Sequence, residues 1–500
     1  MELTLGLPGP SERTPLVTLG ALEEWTSAHF SELRSRLAAV GYDARFIAEA
    51  ERVAPRQLDA VRLPLVHAWL ERRGGASSAL AALFSYEAAV ARPAVREALG
   101  EALTEALLEA GLLTESRDGI VARARLTPLE GLFLLSDGPC AGPEAVMGPG
   151  PTTVVLLNLI PRAPGDTLDV GCGAGTLALV AAQRGARRAV GVDLSPRAIA
   201  LARLNARLNA LPAAFEEGDL LEPVRGQRFD LVVSQPPYVP LPPGLVPTTY
   251  LHGGGQGDEL ALRFASAFPG ALKEGGTALL HFDAPQLPER PLASRLREAL
   301  GEEPLQVAVL TSPGPSPDLQ AAAYGAVEDP SLGPAYRAAA RAYRAHLERA
   351  GIASFWRAVV VLRRPAPGAA AFLAQVPVRL DRLEARELLP LLSGLEAAGQ
   401  ADAELLGTRV CLSPGARLVE EAPFSGAPGK LELRFDAGPA TDQEMSEAAR
   451  VLAEILRSPL AVQQAALAFA GACGATEEAV RPQVLAALRE GLARGVYRPS

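Results

Sequence analysis

The residue types that could do chemistry cluster between positions 167 and 260. Thr167-Leu168-Asp169-Val170-Gly171-Cys172-Gly173-Ala174-Gly175-Thr176 reads as a strand, a tight glycine turn and a helix start. An open α/β sheet binds its ligands at such a place. The glycines let the backbone turn sharply and approach a ligand with no Cβ in the way. A dinucleotide fingerprint is Gly-x-Gly-x-x-Gly, and here Thr176 holds the place of its last glycine. Asp169, just before the turn, would repel a pyrophosphate and suits an ammonium group. A zwitterionic methionine-type ligand at Gly171, Cys172, Gly173 and Gly175 is therefore expected, with Cys172 as a small packing residue beside it.

Two further acids follow in order. Ala189-Val190-Gly191-Val192-Asp193 is a second strand whose terminal acid lies about 20 residues past the glycines, the spacing of a ribose-hydroxyl acceptor. Leu194 follows it, and Ser195-Pro196 reads as N-cap and first helical residue. Glu217-Gly218-Asp219-Leu220 closes a third strand and offers Asp219, with Leu220 beside it, to an adenine amino group. Each acid alone is matched by a solvated loop carboxylate; the three in sequence favour one nucleoside-bearing ligand.

Residues 152–364 resemble a class I S-adenosylmethionine-dependent methyltransferase. Phe229-Asp230-Leu231-Val232-Val233-Ser234-Gln235-Pro236-Pro237-Tyr238 places the resemblance near the branch whose fourth motif is Asn/Asp-Pro-Pro-Tyr/Phe. That branch holds the release-factor glutamine N5-methyltransferases and the N-methyltransferases of bases in DNA and RNA. Tyr250-Leu251-His252-Gly253-Gly254-Gly255-Gln256-Gly257-Asp258-Glu259-Leu260 also resembles the Gly-Gly-x-x-Gly-Leu-Asp loop of the glutamine enzymes. A helical block before the catalytic unit and a smaller one after it resemble a group of bacterial small-domain methyltransferases. The resemblance implies S-adenosyl-L-methionine as cofactor. It is specific over about two-fifths of the chain and loose at both ends.

The fourth motif has a physical logic of its own. A planar amide or exocyclic amine has a delocalised lone pair and attacks a sulfonium methyl poorly. The Gln235 side-chain carbonyl and the Pro236 backbone carbonyl, accepting its N–H bonds, would pyramidalise the nitrogen and stabilise its growing charge. Pro236 and Pro237 fix the loop and remove competing donors, and Tyr238 would stack on the planar group. Methyl transfer is then an in-line displacement governed by orientation, with no triad or metal needed. Gln235 departs from the branch's Asn or Asp by one methylene, roughly 1.5 Å of reach, in a reaction sensitive to about 1 Å of misplacement. That implies a retuned acceptor pocket or lost activity. Met147-Gly148-Pro149-Gly150-Pro151-Thr152-Thr153 is either a domain-joining loop or, as in the resembling families, a segment near cofactor and substrate. His252 and His281 are left without a role.

The elements that must position these residues follow from periodicity. Residues 1–150 read as a helical block ending, near Ala102–Leu113 and the Asp118-Gly119 turn, in a winged-helix-like unit. The helix through Ile47–Arg72 is expected to break at Pro55 and Pro64. Residues 151–364 alternate short strands with Ala/Leu/Arg helices, the pattern of a Rossmann-like doubly wound parallel sheet. Expected strands are Thr167–Val170, Ala189–Val192, Phe229–Ser234, Gly276–Phe282, Gln306–Thr311 and Trp356–Arg363. Ser312–Pro317 reads as loop, Tyr336–Gly351 as helix and Arg364–Gly368 as linker. Residues 369–500 read as a smaller α+β unit that could form a second winged-helix-like module, with helices over Arg379–Gln400, Gln443–Arg457 and Glu477–Arg494.

Composition bounds the rest. The chain has 500 residues, 48% of them hydrophobic, and a net charge of −9, which fits a folded, multi-domain chain rather than a disordered one. No apolar run approaches the ~18 residues of a membrane span, and the start has no export signal, so a cytoplasmic protein is expected. Cys140, Cys172, Cys411 and Cys473 lie too far apart in sequence for a zinc site or disulfide framework. The excess of acid in both flanks gives no bulk electrostatic footprint for duplex DNA. The methyl acceptor is left open among protein or peptide, RNA or DNA, and a metabolite. The rival reading is a catalytically degenerate, cofactor-binding regulator whose flanks bind DNA or a protein partner.

Overall fold

The computed structural model describes residues 5–6, 18–53, 59–138, 142–329, 332–421 and 429–500. Residues 1–4, Pro55 and Cys140 lie outside them.

Eight strands form the central sheet: β1 (Asp166–Val170), β2 (Arg188–Asp193), β3 (Ala213–Glu217), β4 (Phe229–Ser234), β5 (Leu272–Gln286), β6 (Gln306–Pro313), β7 (Ser354–Arg363) and β8 (Phe372–Pro377). Their spatial order is β8-β6-β7-β5-β4-β1-β2-β3. The middle strands are buried on both faces, which is why they read as unbroken runs of Leu, Val and Ala. The order reverses between β1 and β4, so the crevice for a ligand opens beyond the carboxyl ends of those two strands.

The sheet is parallel except for β7, which runs antiparallel to both β5 and β6. The chain leaves β6 at the ligand-side edge and makes two helices there. It then re-enters from the same edge, and a return without a crossover forces antiparallel pairing. The sheet also continues past the 364–368 segment, because β8 pairs in parallel with β6.

Around the sheet lie α1 (Pro151–Leu159), α2 (Thr176–Gln183), α3 (Pro196–Asn209), α4 (Glu259–Ala267), α5 (Leu292–Leu300), α6 (Pro317–Glu328) and α7 (Pro334–Arg349). α3 begins as its Ser-Pro start dictates: the Ser195 hydroxyl accepts the Ala198 N–H at 3.2 Å and Pro196 takes the first helical position. α6 starts in the same way at Ser316-Pro317.

The N-terminal flank is mostly helical and packs on α3. Ala198, Leu201, Leu204 and Leu208 of that helix belong to one apolar cluster with Phe30, Leu33 and Leu37. The hairpin Arg125–Leu129/Leu132–Ser136 is tied to α3 by two carboxamides. Asn205 exchanges bonds with the Leu135 backbone at 2.7 and 2.9 Å, and Asn209 does so with Phe133 at 2.9 and 2.7 Å. The break expected at Pro64 does not occur. Pro64 lies inside the helix Asp59–Arg73, near its start, where a missing N–H removes one intrahelical bond and leaves the rest.

The C-terminal flank is α+β. Its helix Ala385–Ala398 inserts Leu388, Leu391, Leu392 and Leu395 into the cluster on one face of the central sheet. Helices Glu447–Ile455, Val462–Cys473 and Glu477–Ala493 then pack with two small antiparallel sheets.

Candidate active site

The glycine turn between β1 and α2 is fixed mainly by its own backbone. Gly171, Gly173 and Gly175 have φ of 69°, 52° and 82°, values that favour glycine. The Gly171 and Cys172 N–H groups donate to the Val192 carbonyl at 2.8 and 3.0 Å, joining the turn to the end of β2. A Cβ on Gly175 would lie 2.9 Å from the Phe215 ring and 3.0 Å from Ala202 Cβ. Asn205 of α3 donates to the Ala174 carbonyl at 2.9 Å, so the carboxamide that grips the N-terminal hairpin also supports the turn.

The acids around the turn are placed differently from one another. Asp193 ends β2, where its two oxygens accept the Gly173 N–H at 2.8 Å and the Ser195 N–H at 2.9 Å. Burial raises its pKa. Leu194, the next residue, is 69% exposed, an uncovered apolar surface beside that carboxylate. Asp169 is buried behind the turn and accepts the Ala178 N–H of α2 at 3.1 Å. Burial pushes its pKa up to about 7, and the nearby Asp193 adds to the shift. Asp169 thus anchors a helix start rather than facing an open cleft. Asp219, the expected adenine partner, is paired at 2.5 Å with Arg263 of α4. Its neighbour Leu220 has φ of 50°. The Cys172 thiol is buried, and burial raises its pKa well above the ordinary value.

The second half of the site stands at the end of β4. Ser234 donates to the Val170 carbonyl at 2.7 Å, holding Gln235 next to the glycine turn. The Gln235 carboxamide is gripped at both ends by the start of α1: Thr153 Oγ1 donates to Oε1 at 2.9 Å, and Nε2 donates to Thr152 Oγ1 at 2.6 Å. The Thr152 hydroxyl also hydrogen-bonds the Tyr238 phenol, whose pKa is raised by burial. At the far end of α1, Arg184 donates to the Leu157 and Ile160 carbonyls, each at 2.6 Å, where a cation suits a helix C-terminus. The segment 147–153 therefore supplies side chains to this corner, and Thr152 and Thr153 are the residues not singled out from sequence. Pro151 at the first helical position, followed by two hydroxyls pointing past the helix start, was the available signal.

Pro236, Pro237 and Tyr238 rest on the glycine-rich loop. A Cβ at Gly253 would lie 2.4 Å from the Pro237 carbonyl, and one at Gly257 2.5 Å from the Tyr238 carbonyl. Glu259 accepts the Gln256 and Gly257 N–H groups at 2.8 Å each. Asp258 forms a buried ion pair with Arg295 of α5 at 3.1 Å. His252 Nε2 meets the Tyr343 hydroxyl at 2.9 Å while its Nδ1 accepts the Thr248 N–H. His281 is fully buried and donates from Nδ1 to the Ala358 carbonyl at 2.8 Å, with a pKa pushed down to about 4 by burial.

The family model described as methyltransferase small domain matches residues 149–241, the stretch from α1 to the Gln235 corner. A protein of Methanocaldococcus jannaschii, provisionally named a protein N5-glutamine methyltransferase, is 38% identical over 136 residues, covering 26% of this chain and 68% of that one. The release factor glutamine methyltransferase of Deinococcus radiodurans is 34% identical over 209 residues, covering 36% and 70%. That of Geobacter sulfurreducens is 36% identical over 177 residues, covering 32% of this chain and 62% of its own. The chain belongs to the class I S-adenosylmethionine-dependent methyltransferases.

The cofactor of this methyltransferase is S-adenosylmethionine, and the turn suits it. Three left-handed glycines leave the backbone bare, and Asp193 keeps unused lone pairs for hydroxyl donors after its two backbone bonds. Leu194 offers an uncovered apolar face to a base. Among the described residues no group of three His, Cys, Asp or Glu side chains is arranged to hold a metal ion. No helix among them is long and apolar enough to cross a membrane.

Proposed function

We propose that this methyltransferase transfers a methyl group to a planar nitrogen, an amide or exocyclic amine, held at Gln235. The observation that carries the reading is the clamp of Thr152 and Thr153 on the Gln235 carboxamide beside Pro236 and Tyr238. A carbonyl oxygen has two acceptor sites. Thr153 occupies one at Oε1, so the other is free for an N–H of the acceptor, with the Pro236 carbonyl as its second partner. The clamp also answers the extra methylene of Gln, because two hydroxyls remove the torsional freedom that a longer side chain brings.

When bound, S-adenosylmethionine supplies an activated methyl on a sulfonium. Gln235 and Pro236 orient the nitrogen and stabilise the positive charge that grows on it; Tyr238 supports the planar group. Asp193 and Leu194 are the proposed ribose and adenine contacts. Asp219, already paired with Arg263, would reach an adenine amino group only through its remaining lone pairs. The names of the relatives favour a glutamine amide in a protein as acceptor.

The test is labelled-methyl transfer into fractionated protein, RNA, DNA and metabolites. Gln235→Ala is expected to lower turnover by about 10²–10³-fold while cofactor affinity stays within about threefold, since the acceptor site that Oε1 keeps beside its Thr153 bond serves only the reacting nitrogen. Equal turnover would remove the role. The engagement of both ends of the Gln235 carboxamide by the two threonines also favours a second reading, a cofactor-binding regulator without turnover. Cofactor binding by titration calorimetry with no label in any fraction would select it.

A further inference from the structure

Behind Tyr238 lies a buried carboxyl group that none of the roles above employs. Asp283 of β5 is 7% exposed. Gln320 of α6 donates from Nε2 to its Oδ2 at 3.1 Å, whereas Oδ1 is buried with no hydrogen-bond partner among the described residues. Among the described residues three other aspartates are buried, and each has a cation or helix N–H groups against it, although the Asp258 oxygens face Arg295 without a hydrogen bond. Asp137 takes the Arg197 fork at 2.8 and 2.5 Å, Asp258 pairs with Arg295, and Asp169 accepts helix N–H groups. An unfilled carboxylate oxygen is costly in a folded interior, and Asp283 Oδ1 has neither a hydrogen bond nor the ion pair that compensates Asp258.

Its surroundings belong to the acceptor side of the cleft. The Asp283 charge acts on the phenols of Tyr238 and Tyr324. Arg357 of β7 is its cross-strand neighbour, near enough to lower its pKa against the larger effect of burial, yet the two form no ion pair. Two residues earlier on the same face of β5, His281 Nε2 is also buried and unpartnered. Because Nδ1 donates to the Ala358 carbonyl and the ring is neutral, that nitrogen too is an acceptor. Asp283 Oδ1 and His281 Nε2 are therefore two buried acceptor atoms without donors on one face of β5, the first of them acting on Tyr238.

We propose that Asp283 is a specificity-determining residue, whose Oδ1 receives a second N–H or ammonium donor carried by the acceptor beside the nitrogen to be methylated, with Gln320 as its positioning residue. The assignment rests on the methyl-transfer reading. It restricts the acceptor to molecules with two donors in reach, and it separates recognition, at Asp283, from activation of the nitrogen, at Gln235.

The test uses the full chain, tritiated S-adenosylmethionine and bulk probes: a tryptic peptide digest, total RNA, sheared DNA and a small-metabolite extract. Asp283→Asn is expected to raise the apparent KM for the labelled probe at least about tenfold with kcat within about threefold. S-adenosylhomocysteine affinity should be unchanged and Tm unchanged or higher, because a desolvated acid gives way to a neutral amide. Gln320→Met, which leaves the carboxyl in place but unsupported, should raise KM less. An unchanged KM in both variants overturns the proposal; so does a KM rise accompanied by lost S-adenosylhomocysteine affinity and lower Tm, the pattern of a structural residue or of a buried water on Oδ1. Wild-type protein that binds S-adenosylhomocysteine but labels no probe refutes the transfer reading itself, and this assignment falls with it.

Discussion

The two halves of the cleft are built by different means. At the glycine turn the proposed ligand-facing surface is mostly backbone: three left-handed glycines, tied to the end of β2 by the Gly171 and Cys172 N–H groups and by the Asp193 carboxylate on the Gly173 N–H. At the Gln235 corner it is side chain: a carboxamide held by hydroxyls from α1, more than 80 positions earlier in the chain, and a phenol next to a carboxyl supported from α6. A backbone site tolerates change in its surroundings and fails when its own few residues change. A side-chain site can be retuned one contact at a time, which suits the half that must differ between acceptors.

That contrast breaks most visibly at Asp193. Asp193→Ala removes the proposed ribose acceptor and also leaves the Gly173 N–H without its partner. A lost charge-assisted pair with an unsatisfied donor left behind costs about 1–3 kcal/mol, so cofactor affinity should fall about 10–100-fold by calorimetry. Asp193→Asn keeps one carbonyl for the turn and should lose less. If both variants bind like the wild type, the ribose contact lies elsewhere.

A smaller effect is expected from the other half. The pair Thr152→Val and Thr153→Val removes both clamps without changing side-chain volume much. It leaves Gln235 present but free to rotate, and turnover should fall about tenfold with cofactor affinity unaltered. Loss of cofactor binding in that double variant would mean that α1 shapes the glycine turn too, and the two halves would not be separable.

The same contrast explains what was legible in the sequence. Strand-turn-helix at 167–176, the acid ending β2 and the run into Gln235-Pro236-Pro237-Tyr238 are local patterns, and β1, β2 and β4 formed where their periodicity put them. Asp169 shows the limit: type and position were readable, but not that the carboxyl turns inward to α2. Asp219 shows it again, since its pairing with Arg263 depends on how α4 packs. Thr152 and Thr153 were readable only as part of the 147–153 segment, and their contact with Gln235 is tertiary; Asp283 and Gln320 likewise meet only through tertiary packing and carry no local signature. α6 is a different failure. Its Ser316-Pro317 start is the signal that located α3 at Ser195-Pro196, but it sits in a proline-rich run whose composition says loop. Val462–Cys473, an Ala-rich helix without charged residues, lacked the polar face that marks a helix in sequence.

The smallest effect expected is a proton count, and it reads the glycine turn alone. Burial holds Asp169 protonated up to about pH 7 and raises Asp193 as well. For the fold by itself the sign is set by Asp169 having a folded pKa above its unfolded one of 3.8. Its contribution to stability is present below about pH 4 and is lost as pH rises towards 7. A cationic ligand lodged against the turn has the opposite preference, since it favours ionised carboxyls. Binding of S-adenosylmethionine should therefore release protons below pH 7, and affinity should rise with pH between about 5 and 7 by no more than tenfold per unit for one proton, then level off. Titration calorimetry in buffers of different ionisation enthalpy counts those protons directly. Asp169→Asn should flatten the profile, whereas Asp283→Asn, on the acceptor side, should leave it unchanged. S-adenosylhomocysteine, which keeps the ammonium and lacks the sulfonium, should show a weaker dependence if the fields of both cations reach the buried acids and an equal one if the ammonium alone acts on them.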